Sequence, residues 1–126
     1  MKLRTKKREI RITERIGEEE ATFVINPLTP KESASLLEAA TVREWERNQR
    51  FEQVDFYLFK IMKIDKVIKS WGDDIEDEEG NPLLCTRENK ELVYSYNPEL
   101  IDRIMEKADS ISRKAIEEKE VIEKNL

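Results

Sequence analysis

The side chains able to do chemistry sit in three places along this chain. The densest is residues 73–80, DDIEDEEG, where six of eight residues are acidic. Carboxylates are hard oxygen ligands, so the sharpest reading of such a stretch is a calcium loop. The spacing opposes it. An EF-hand loop needs Gly at its sixth position and Glu at its twelfth. Counting from Asp73 gives Glu78 and Leu84, and counting from Asp74 gives Glu79 and Cys85. Neither register fits. The stretch reads instead as an exposed turn around Glu79-Gly80-Asn81-Pro82, a small hairpin bringing Ile75 near Leu83 or Leu84. The second place is Asp65, which falls on an apolar helical stripe and, if buried there, needs an Arg or a backbone donor beside it. The third is Cys85. The chain has no histidine to activate it, so it reads as a small packed residue.

Lack of histidine also removes the commonest general base and the commonest transition-metal ligand. With three glycines in all, there is no phosphate-cradling loop. Acid–base catalysis by carboxylates requires two of them converging in a shielded cleft, and a solvated turn provides no cleft. No catalytic, cofactor-binding or metal-ligating residue is assigned, and the chain is expected to be non-enzymatic.

The elements that would position any site come from patterning. A length of 126 residues supports one domain with its own core. The charged fraction, 40%, exceeds the hydrophobic fraction, 38%, which implies a small core under a heavily charged surface. Residues 8–16 and 20–26 alternate and flank Gly17, predicting an antiparallel hairpin with Ile10, Ile12, Phe23 and Ile25 on its buried face. Thr29, Pro30 and Glu32 make a capping box with proline at the first helical position. Ala34, Leu37 and Ala40 line the inner face of that helix, with Leu36 beside it. Thr41 to Arg50 reads as a frayed helix end or loop carrying the isolated Trp45.

Residues 50–71 are the organising stretch. Val54, Tyr57, Leu58, Ile61, Ile64, Ile68 and Trp71 recur at steps of three and four, predicting one long central helix ending at Gly72. Phe56, Phe59 and Met62 widen its stripe beyond one face. Thr86 caps a short helix from Arg87 to about Ser95. Asn97-Pro98 opens a long final helix whose stripe runs through Leu100, Ile101, Ile104, Met105, Ala108, Ile111, Ala115 and Ile122, with pairs such as Glu120–Lys124 near its end. The expected fold class is α+β: an N-terminal antiparallel hairpin packed on a mainly helical body with long central and C-terminal helices. Residues 1–126 form one domain, with a basic arm at 1–7 and a charged tail at 117–126 outside the packed body.

Charge is unevenly spread. Residues 1–15 carry seven cations against two carboxylates, a net +5, while the rest of the chain carries −10. A basic arm can bind nucleic acid or an acidic partner, but basic side chains also keep a strand edge from aggregating. The second reading is preferred, and the acidic body further opposes nucleic-acid binding. One cysteine allows no internal disulfide, no apolar run approaches a membrane span, and the basic N-terminus lacks the apolar core of a secretory signal. A cytoplasmic location is expected.

The order of these punctuation marks resembles a known family. PLTPKE (Pro27 to Glu32), a helix ending at Trp71, the acidic turn Asp77 to Pro82, Thr86 to Asn89 and the proline-started helix from Asn97 to Ile104 are similar to the small tail assembly chaperones of long-tailed phages and prophages. The resemblance covers roughly residues 20–105. It implies a non-enzymatic protein of the bacterial host cytoplasm that binds the tape measure protein, the tail tube protein or both during tail morphogenesis and is left out of the finished virion. Such a client would be a long apolar helix needing cover until assembly. Phe56, Phe59, Met62 and Trp45 are the candidate partner-binding residues, and self-association into a homo-oligomer fits the same role. Two alternatives stand beside it: a structural tail or head completion protein, and a nucleic-acid-binding accessory protein using the arm.

Overall fold

Strand alternation sets the first layer. β1 (Ile10–Ile16) and β2 (Glu19–Ile25) pair antiparallel, with Ile10 opposite Ile25 and Ile12 opposite Phe23. Gly17 takes φ +62° in the two-residue connection, the conformation such a tight hairpin loop demands. Phe23 and Ile25 are fully buried, and Ile10 and Ile12 are half-buried against the same core. Residues 1–124 are described by a computed structural model, with side chains described to residue 112.

α1 (Pro30–Ala39) opens on the expected capping box. Thr29 Oγ1 accepts from the Glu32 amide at 3.2 Å, and Glu32 Oε1 accepts from the Thr29 amide at 3.1 Å. The Lys7 ammonium, 2.9 Å from Glu32, holds that carboxyl below its ordinary range. The inner face differs from expectation: Leu36 and Ala40 are buried, whereas Ala34 and Leu37 face solvent.

The largest departure follows α1. Thr41 to Arg50 is neither a helix end nor a loop. It forms most of a second antiparallel ribbon, β3 (Thr41–Glu46) and β4 (Gln49–Val54), with Arg43 opposite Glu52 and Trp45 opposite Arg50. Its two-residue turn places Arg47 at φ +53° and Asn48 at φ +65°, the left-handed pair that such loops require. Arg43 Nε lies 3.2 Å from Glu52 across the ribbon and also pairs with Glu38 of α1. The Asp55 amide donates to the Ala40 carbonyl at 2.9 Å and closes the base. Neither turn residue is glycine, so the double substitution Arg47→Asn with Asn48→Gly is expected to relieve about 1 kcal/mol of strain. Slower native-state hydrogen exchange across Thr41–Val54 would register it.

The predicted central helix is therefore shorter at both ends. α2 spans Phe56–Val67, started by Asp55, whose Oδ1 accepts from the Leu58 amide at 3.0 Å. Ile68–Ser70 then become β5, pairing antiparallel with β2 to give a three-stranded sheet in the order β1-β2-β5. Gly72 does take a left-handed φ of +68°, but it follows a strand, not a helix.

α3 (Arg87–Tyr96) is capped by Thr86, and α4 (Pro98–Lys124) starts on its proline as expected. Phe23, Ile25, Ile64, Val67, Ile68, Trp71, Val93, Ile101, Ile104, Met105 and Ala108 form one core between the sheet and helices α2, α3 and α4. Ala115, Ile122 and the Glu120–Lys124 pair lie outside the residues whose side chains are described. The fold is α+β. No helix among the described residues is long and apolar enough to cross a membrane.

Candidate functional site

Three groups that could do chemistry serve the fold's own joints. Asp65 meets a lysine. Lys90 Nζ donates to Asp65 Oδ1 at 3.1 Å and to the Asp65 carbonyl at 3.0 Å, with the lysine only 6% exposed. The pair clamps α2 to α3. Cys85 donates to the Lys69 carbonyl at 3.9 Å, and burial pushes its thiol up, away from the reactive thiolate.

The acidic loop folds on itself. The Leu83 amide donates to the Ile75 carbonyl at 2.9 Å, and Glu76 bridges Pro82, as the small-hairpin reading predicts. Asp77 Oδ1 accepts from the amides of Asn81 at 2.8 Å and Glu79 at 2.9 Å. The Asn81 amide, above all, holds that carboxyl below its usual range. Trp71 Nε1 donates to the Leu83 carbonyl at 2.9 Å and pins the loop to the core. No group of three metal-ligating side chains forms among the described residues.

One buried acid escapes sequence inspection. Glu14 follows Ile10 and Ile12 on the inner face of β1 and is buried. Arg103 Nε stands 3.2 Å from its Oε2, and Lys107 Nζ 2.5 Å from its Oε1, an ionic rather than a directed contact. Both cations come from α4, so this cluster ties the sheet to the last helix.

The four candidate partner-binding residues separate into two pairs. Trp45 and Phe56 are each 73% exposed. Phe59 and Met62 are half-buried. At 100° per residue they point away from Ile61, Ile64 and Val67, which face the core. Tyr57, expected on the apolar stripe, is instead 57% exposed, and Phe51 is 48% exposed. Tyr57 donates to Glu91 at 2.9 Å, and that carboxylate raises the phenol's pKa. Val42 and Phe51 share one face of the β3–β4 ribbon as diagonal neighbours, and Trp45 lies on the other with Arg43 and Arg50. The overlooked signal was the β-branched and aromatic content of Thr41, Val42, Trp45, Phe51 and Val54, with Arg43 matched against Glu52.

A groove of about 960 Å³ lies elsewhere, between the first hairpin, the 73–83 loop, α3 and the start of α4. Its apolar lining includes Ile16, Leu83, Leu92, Tyr96 and Leu100. Its edge is acidic, and no lysine or arginine lines it. Shaped this way, it suits a basic segment with an apolar side better than a small anionic substrate. Comparison with protein-family models, with characterised proteins and with solved structures returns no match.

Proposed function

We propose that this chain is a non-catalytic assembly chaperone that covers an apolar, helical client, in the manner of the phage tail chaperones its motif order resembles. The tape measure protein is the expected client, the tail tube protein the expected co-partner, and the bacterial host cytoplasm the expected location. One observation carries the reading: a two-stranded ribbon with both faces exposed leads directly into a helix start, and together they hold Trp45, Phe51, Phe56 and Tyr57 in solvent. A lone two-stranded ribbon is marginal in water, and aromatic anchors are the side chains that dominate partner binding. A client helix laid against the Trp45 face of the ribbon would bury that ring and stiffen the ribbon at once.

The test is capture. The chain, co-expressed with the tape measure and tail tube proteins of its own gene cluster, should co-purify with the tape measure protein. The double variant Trp45→Ala with Phe56→Ala should weaken capture about 30-fold or more, the loss expected of hot-spot anchors worth about 2 kcal/mol. Its melting temperature should hold, because both rings are exposed. Capture equal to wild type, or none by wild type, refutes the proposal. Mass spectrometry of purified particles separates a chaperone, absent from them, from a structural tail part.

A further inference from the structure

The groove beside the acidic loop is independent of the ribbon. Its edge carboxylates Glu19, Asp74, Glu76, Glu78 and Glu79 have no ion-pair partner among the described residues. At the other end of the same chain lies the opposite charge. Lys2, Arg4, Lys6 and Arg8 are exposed and likewise unpaired among the described residues, while Met1 and Leu3 between them are exposed too. We propose that two copies of this chain exchange N-terminal arms, residues 1–6 of each lying in the acid-edged groove of the other.

The pattern of the arm fits the groove. In an extended chain, Met1, Leu3 and Thr5 fall on one side and Lys2, Arg4 and Lys6 on the other. The apolar side meets the floor at Leu92, Tyr96 and Ile16, each about half exposed or more, and the cations meet the rim. Six extended residues span about 20 Å. The arm of the same molecule does not fill this place: no residue of it lines the groove. Its base is held elsewhere, by Lys7 on Glu32 of α1 and by Glu9, 4.0 Å from Lys69 of β5. A second copy supplies the missing arm, and reciprocal exchange closes a twofold dimer.

Sedimentation velocity of the full chain tests this. Wild type should be a dimer at about 0.05 M salt and shift to monomer at about 0.5 M, because exposed charge pairs are screened. The rim variant Asp74→Lys, Glu78→Lys, Glu79→Lys should dimerise about tenfold more weakly or worse, and so should the arm variant Lys2→Glu, Arg4→Glu, Lys6→Glu. Mixing the two variants should restore a heterodimer, since a reversed arm then meets a reversed rim. All six positions are exposed, and circular dichroism melts verify that both variants fold. A monomeric wild type at low salt overturns the proposal, even if the groove binds an unrelated basic peptide. So does undiminished dimerisation of either variant, or a mixture that stays monomeric. The ribbon is untouched in all of these proteins, so failure of client capture and failure of arm exchange are read separately.

Discussion

Trp71→Ala is expected to lower unfolding free energy by about 3–5 kcal/mol, as deletion of a buried aromatic does when the surroundings only partly collapse. Trp71 is 1% exposed and is the largest fully buried side chain. It stands where three parts of the chain meet. It follows β5, shares the core with Phe23 of β2 and Ile104 of α4, and holds the 73–83 loop through its indole N–H on the Leu83 carbonyl. Small domains are stable by only about 5–15 kcal/mol, so this one change removes a large share. Urea unfolding followed by circular dichroism would measure it. Trp71→Phe keeps most of the apolar volume but strands the Leu83 carbonyl, and a smaller loss of about 1–2 kcal/mol follows. Hydrogen exchange in that variant should quicken first in the loop, from Ile75 to Leu83. A loss under about 1 kcal/mol for the alanine variant would show that the indole does not organise the core.

The second large effect is an asymmetry between two partners. Asp65→Ala should cost about 2–4 kcal/mol, whereas Lys90→Met should cost under about 1 kcal/mol. The Lys90 side chain is 8% exposed and that of Asp65 is 35% exposed. Removing the carboxylate leaves an ammonium buried with one carbonyl for company, and an unpaired buried charge is expensive. Removing the ammonium leaves a carboxylate that already reaches water, while methionine refills the space of the lysine stem. The combined variant should resemble Lys90→Met alone, because deleting Asp65 matters only while Lys90 is charged and present. Chemical denaturation of the four proteins forms a double-mutant cycle. Equal costs for the two single variants would refute the account.

These two residues also mark where local pattern ran out. The N-terminal hairpin, the capping box at Thr29, the N-cap at Thr86, the loop hairpin at Asp77–Pro82 and the stripe of α4 were legible because each is a short-range device. A glycine at a turn, a threonine before a helix and apolar residues every three or four positions act on neighbours within a few residues. Asp65 was legible as a residue needing a partner, but the identity of that partner was not. Of the four partner-binding candidates, Trp45 and Phe56 stand in solvent, while Phe59 and Met62 are partly covered.

The ribbon and β5 were hidden by the same ambiguity. Phe51 and Val54 lie at helical spacing from Tyr57, Leu58 and Ile61, so strand and helix templates both match the stretch from Arg50 to Trp71. Asp55 breaks the match, because its side chain starts α2 there. A turn of Arg47 and Asn48, without glycine, sent no signal. Ile68 and Trp71 continue the stripe of α2, yet Ile68–Ser70 leave the helix because the free edge of β2 takes them. Sequence alone determined the α+β class, the caps at Thr29 and Thr86, the last helix and the split between a basic arm and an acidic body. Tertiary structure alone decided where α2 stops, which strand completes the sheet, and how Glu14 and Lys90 are neutralised. The partners in those cases lie 25 residues or more away, and no local periodicity records which distant edge or charge a residue will meet.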